Sequence, residues 1–191
     1  MRIGVFGGSF DPVHIGHLIL AEQCRWQARL DKVYFVPAPR PPHKHHGTVA
    51  DYSDRVDLLR LALESSPDFF LETCEEKRVG PSYTVDTLRY LRQRESGHDW
   101  FLILGADSVR DLETWREPEE IAKLCRLLTV ERPGIAITQA PSYFECVRVE
   151  SPLVEISSTM IRDRCRLNQS IRYLTPANVE KYLIDKQLYS R

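Results

Sequence analysis

Gly7-Gly8-Ser9-Phe10-Asp11-Pro12-Val13-His14-Ile15-Gly16-His17-Leu18 is the stretch on which the reading of this chain turns. It begins where the apolar run of Ile3, Val5 and Phe6 stops and ends where a helical pattern starts, so it reads as the turn between a strand and a helix. A helix N-terminus there aims unpaired backbone N–H groups at any anion in the turn. The glycines let a phosphate approach the backbone closely. His14 and His17, three residues apart, project from one side of the first helical turn. These parts describe a site for the phosphates of a nucleotide. The stretch is neither the G-x-G-x-x-G dinucleotide fingerprint nor a P-loop, which needs Lys-Ser/Thr.

Outward from this turn, apolar runs alternate with helical periods. Strands are expected over 2–7, 32–38, 69–73, 100–105 and 126–130, with a candidate strand over 146–149. Helices are expected over 15–29, 53–66, 82–95, 107–115, 119–124 and 156–166. A last helix is expected to open with Thr175 as N-cap and Pro176 at its first position. Residues 134–154 are otherwise the least legible part. The order βαβαβαβαβ predicts an α/β fold, a doubly wound parallel sheet, with a small helical extension over 156–191 in one domain spanning 1–191. Ligands of such sheets sit at the carboxyl ends of the strands, near a topological switch point. The glycine turn, the proline loop after the second strand, Gly105-Ala106-Asp107 and Arg132-Pro133-Gly134 all follow predicted strands and should converge there.

A length of 191 residues with 42% apolar residues suits a globular domain. A net charge of -1 gives no footprint for general nucleic-acid binding. The absence of a long apolar run predicts no membrane span, and the N-terminus does not read as a signal peptide. Five scattered cysteines with no C-x-x-C pair argue against a disulfide framework or zinc site and fit a reducing, cytoplasmic setting.

Two further stretches carry chemistry. Ile156-Ser157-Ser158-Thr159-Met160-Ile161-Arg162 reads by itself as a well-capped helix start with a cation one turn in. Pro41-Pro42-His43-Lys44-His45-His46 is a rigid basic loop from which Lys44 can reach a phosphate as a point charge. His45 and His46 read as solvated, because no carboxylate or cysteine stands at metal-ligand spacing nearby.

Taken in order, these motifs resemble the nucleotidyltransferase superfamily marked by (T/H)-x-G-H on a Rossmann-like domain, which also carries a late I-S-S-T-x-I-R motif. Within it the chain is similar to the bacterial-type nicotinate mononucleotide adenylyltransferases, on Pro41-Pro42-His43-Lys44, on Ser82-Tyr83-Thr84-Val85-Asp86-Thr87-Leu88, on Gly105-Ala106-Asp107-Ser108 followed by Trp115, and on Arg132-Pro133-Gly134. Ser82 or Thr84 is expected to cap the helix that the second of these opens. Two positions depart from the pattern: Ser9 stands where threonine is frequent, and Arg40 where a smaller polar residue is expected.

The resemblance implies transfer of AMP from ATP to nicotinate mononucleotide, giving nicotinate adenine dinucleotide and pyrophosphate in NAD biosynthesis. It implies His14, His17, Lys44 and Arg162 as the catalytic set. ATP would be bound by Gly7, Gly8, Ser9, Phe10, His14, His17, Gly105, Asp107, Ile156, Ser157, Ser158 and Arg162. The mononucleotide would be held by Lys44, Tyr83, Thr84, Trp115 and Arg132, with the Trp115 ring stacked on the pyridine. Mg2+ is expected to arrive with ATP, with no protein metal site. Adenylyl transfer to nicotinamide mononucleotide or phosphopantetheine, and a nucleotide-binding sensor without turnover, stay open at this point, as does assembly into a homo-oligomer.

Overall fold

The computed structural model describes residues 1–42, 47–131, 140–152 and 154–190. Among them, strands β1 (Arg2–Gly8), β2 (Lys32–Pro37), β3 (Phe69–Leu71), β4 (Asp99–Gly105), β5 (Arg126–Glu131) and β6 (Cys146–Glu150) form one parallel sheet. Its order is β3-β2-β1-β4-β5-β6, the doubly wound α/β architecture that the alternation predicts. The helices are α1 (Ile15–Gln27), α2 (Tyr52–Leu63), α3 (Thr84–Arg94), α4 (Ala106–Arg110), α5 (Pro118–Leu124), α6 (Ser158–Arg166) and α7 (Ala177–Asp185), with a 3₁₀ turn at Leu112–Thr114.

The central strands are apolar on both sides because both sides are covered. In β4, Phe101 and Ile103 enter one core, while Trp100, Leu102 and Leu104 enter the other. In β2, Val33 and Phe35 alternate with Tyr34 and Val36 in the same way. The first core lies under α1, α2, α6 and α7 and includes Ala21, Leu59, Ile161 and Val179. The second lies under α3, α4 and α5 and includes Leu88, Val109 and Ile121.

The structure corrects several element ends. The first helix stops at Gln27, because Arg29 turns into the left-handed region at φ 51° and the Leu30 N–H donates to the Arg25 carbonyl. The third strand is only three residues long, although the Glu72 N–H still donates to the Phe35 carbonyl. Tyr83, not Ser82 or Thr84, stands at the N-cap of α3; the Ser82 hydroxyl instead accepts from the Arg40 N–H. Thr175 does not cap the last helix: Pro176 holds that position, and the Thr175 hydroxyl is buried without a partner among the described residues. No helix among the described residues is long and apolar enough to cross a membrane.

Leu59 and Leu88 are fully buried on opposite faces of the sheet. Replacing either by alanine should lower stability by about 2–5 kcal/mol. Because they share no packing partners, the double variant should lose the sum to within about 0.5 kcal/mol in urea titrations.

Candidate active site

The strand order reverses between β1 and β4, and the loops that leave their carboxyl ends part there. A cavity of about 350 Å³ occupies that crevice; Gly7, Gly8 and Ser9 line one side and Gly105 and Ser108 the other. A Cβ added at Gly7 or Gly105 would meet nothing within 4 Å, so the two strand ends leave open space. The loop after β2 contributes Ala38, Pro41 and Pro42 to the wall, the start of α3 contributes Tyr83 and Thr84, and Trp115 follows the 3₁₀ turn.

The glycine turn is held in a strained form. Phe10 has φ 45°, a left-handed conformation that costs an aromatic residue about 1–2 kcal/mol. Its ring offsets this by packing edge-on against Phe6 at 5.5 Å and His17 at 5.1 Å, and tilted against Phe35 at 5.7 Å. His14 is the N-cap of α1, with its backbone extended, and its ring stacks on that of His17 at 3.7 Å. Gly16 makes room for this stack: a Cβ there would stand 3.0 Å from His14 Nδ1 and 3.8 Å from the Ile156 carbonyl.

Hydrogen bonding sets the His17 tautomer. The His14 N–H donates to His17 Nδ1 at 3.2 Å, so the neutral His17 ring carries its proton on Nε2. Burial holds the His14 ring at about 4, below its usual 6.5. Burial, and then the neighbouring His14 ring, hold His17 well below the same value. Both imidazoles are therefore neutral donors at pH 7.

The start of α6 is stapled to this turn. The Met160 N–H donates to the Ser157 hydroxyl at 3.1 Å, which caps the helix. The Ser158 hydroxyl donates to the Pro12 carbonyl at 2.9 Å. Arg162 donates through Nη1 to the Asp11 carbonyl at 2.7 Å and through Nη2 to the Thr159 hydroxyl at 3.1 Å. The N-termini of α1 and α6 thus lie side by side, two positive dipole ends facing one region.

Of the residues singled out in the sequence, Gly7, Gly8, Ser9, Gly105, Tyr83, Thr84 and Trp115 line the cavity. His14, His17, Phe10, Ile156, Ser157, Ser158 and Arg162 gather at the turn beside it. Lys44 and Arg132 lie outside the described residues, as do His43, His45, His46 and the Pro133-Gly134 pair. Asp107 is placed only by its backbone, in the first turn of α4. Arg40 is exposed, and its Nη1 donates to the Arg78 carbonyl at 3.2 Å.

Three residues escape a reading along the sequence. Asp11, 1% exposed, accepts from the Val49 and Ala50 N–H groups at 2.8 and 3.1 Å and from the Tyr189 hydroxyl at 2.7 Å. Arg55 is fully buried against the Ser9 and Ala38 carbonyls. Glu75 enters the cavity wall, accepts from the Thr87 hydroxyl, and is pushed by burial above its ordinary carboxylate range. Their partners lie 12 to 178 residues away, and the only local hint was that Asp11 falls within the opening turn.

The sequence profile of the family described as Cytidylyltransferase-like matches residues 5–164. The nicotinate-nucleotide adenylyltransferase of Bacillus subtilis (strain 168) is 42% identical over 189 residues, covering 98% of each chain. A probable nicotinate-nucleotide adenylyltransferase of Exiguobacterium sibiricum is 42% identical over the full length of both. Among solved structures, Plasmodium falciparum nicotinic acid mononucleotide adenylyltransferase complexed with NaAD superposes with a TM-score of 0.83 at 19% identity, over 98% of this chain and 97% of that one. At that identity the likeness speaks for the fold.

The neutral histidines make stability depend on pH. As pH falls below 6.5 the unfolded chain takes up a proton at residue 14, while the folded ring stays neutral until about 4, so stability present above 6.5 is lost across that window. In urea titrations, His14→Gln should lose less stability than the wild type on going from pH 7 to pH 4, by roughly 2–3 kcal/mol.

Proposed function

The chain belongs to the cytidylyltransferase-like family, among its nicotinate-nucleotide adenylyltransferases, and from that premise we propose how its residues carry out the reaction. The enzyme transfers AMP from ATP to nicotinate mononucleotide, releasing pyrophosphate and forming nicotinate adenine dinucleotide. The observation that carries the mechanism is the meeting of two helix N-termini on the stacked His14–His17 pair, at the edge of a cavity with aromatic walls.

A phosphate oxygen of the mononucleotide attacks the α-phosphorus of ATP in line, and the bond from that phosphorus to the bridging oxygen of pyrophosphate breaks. The attacking oxygen is already anionic, so no protein base is needed. Charge grows on the leaving phosphates, and the contribution of the protein is position and charge stabilisation. His17 donates from Nε2 to that region. The open backbone of Gly7–Ser9 admits the triphosphate, and the first turn of α6 with Arg162 supports its outer phosphates. Negative phosphates beside the two imidazoles favour their protonated forms, which strengthens donation as charge develops.

At the other end of the cavity, Tyr83 and Trp115 offer aromatic faces to the pyridine ring. No side chain caps α3, so its first N–H groups, at Thr84 and Val85, suit the ring carboxylate of the nicotinate form. Mg2+ would enter this site as a companion of ATP. No group of three or more metal-ligating side chains occurs among the described residues, and the carboxylate in the turn, Asp11, is already taken by three donors. Such an ion would supply charge neutralisation of the triphosphate, which suits a cation that keeps phosphate oxygens and water as ligands.

Pyrophosphate release with ATP and Mg2+ tests the reading. Nicotinate mononucleotide should be preferred to nicotinamide mononucleotide, and phosphopantetheine should give none. Silence with all three from folded protein overturns the function, and preference for the amide overturns the acceptor. His17→Ala should lower kcat by about 10²–10³ while the thermal melt is kept. Near wild-type turnover in that variant removes His17 from its role.

A further inference from the structure

Arg55 stands in the first turn of α2 and is 0% exposed. Its Nη1 donates to the Ser9 carbonyl at 2.6 Å and to the Ala38 carbonyl at 3.0 Å. Its Nε and Nη2 are buried with no hydrogen-bond partner among the described residues. A buried cation with two donor nitrogens unpaired is unfavourable, and an aliphatic side chain of similar volume would fill the same space without that penalty. The Tyr52 ring 5.4 Å from the guanidinium and the nearby Asp11 carboxylate offset part of that cost, but neither accounts for Nη1 being aimed at two carbonyls.

What a guanidinium does that leucine or methionine cannot is grip two carbonyls at once. Ser9 follows β1 and Ala38 follows β2, and both stand in the wall of the cavity. The same two loops are joined once more by the Ala38 N–H donating to the Gly8 carbonyl at 2.9 Å. The peptide between Ser9 and Phe10 is planar and trans, so holding its oxygen toward α2 turns the Phe10 N–H away from α2.

We propose that Arg55 is a positioning residue for adenylyl transfer, fixing the spacing and orientation of the β1 and β2 loops, which together wall the cavity where the two substrates meet. This rests on the function proposed above, since in-line displacement requires the reacting atoms about 3–3.5 Å apart. Loosening the grip leaves each half-site able to bind and misplaces one substrate relative to the other.

The test compares wild type, Arg55→Ala and Arg55→Lys in steady-state kinetics, thermal melts and amide hydrogen exchange. Arg55→Ala should lower kcat by about 100-fold, with both KM values within about threefold of wild type. Guanidinium at tens of millimolar should restore kcat at least about tenfold, and urea at the same concentration should not. The lysine variant should fall between, since an ammonium is a point charge rather than a planar fork. Exchange over residues 9–14 and 38–42 should quicken in both variants while β4 and β5 stay unchanged.

A kcat within about threefold of wild type, a loss that guanidinium does not relieve, or unchanged exchange in the two loops overturns the proposal. So does failure of both variants to fold at 10 °C, which would make Arg55 a residue of the core. If the wild type releases no pyrophosphate, the proposed function falls instead, and exchange alone decides whether Arg55 orders the loops.

Discussion

Asp11 is the knot of this molecule. Its carboxylate, cut off from water, is satisfied by two backbone N–H groups of the loop before α2 and by the hydroxyl of Tyr189, while its own carbonyl accepts from Arg162 on α6. One buried residue thus brings three distant parts of the chain to a single turn. A buried carboxylate left short of partners is costly, and each of those donors would be orphaned without it. The position of the turn therefore follows from satisfying one charge, and the histidine stack, the strained Phe10 and the stapled α6 inherit that position.

The electrostatics divide the work. Around the turn, Arg55 and Arg162 carry fixed charge close to the Asp11 carboxylate, whereas the stacked His14 and His17 rings are neutral. These cations hold backbone carbonyls of the turn and its neighbour, Arg55 those of Ser9 and Ala38 and Arg162 that of Asp11, while the neutral rings and the first N–H groups of α1 and α6 remain as donors. Donors of this kind need little reorganisation when charge moves during the reaction. The enzyme keeps its strongest charges where they shape the site.

Much of this was legible along the chain. The sheet was readable because β1, β2, β4 and β5 are short apolar runs broken by turn residues, and a buried parallel strand has no other composition. The turn was readable because H-x-G-H compresses two donors and a steric requirement into four residues. Caps were readable where the capping bond is local, as at Ser157, and misread where it is not. Thr175 has the right residue type for a cap, but its hydroxyl is turned into the interior. Ser82 likewise has the right type, but the neighbouring loop claims its hydroxyl. Arg55 was invisible for the same reason. On a helical period it counts as a polar position, and only the fold places two carbonyls from other loops within its reach.

The place of β1 in the sheet has a consequence for how the protein is made. Its neighbours are β2, which begins at residue 32, and β4, which begins at residue 99. On a ribosome adding roughly 5–20 residues per second, the first edge of β1 finds its partner within seconds, while the second stays bare for roughly 5–20 s. Tyr189 comes 178 residues after Asp11, so the turn that emerges first is closed by a segment translated roughly 10–40 s later. In the first of these intervals the nascent chain carries an unpaired apolar strand edge next to a turn that is not yet closed. The burden of keeping it from sticking to its neighbours falls on translation speed and on chaperones.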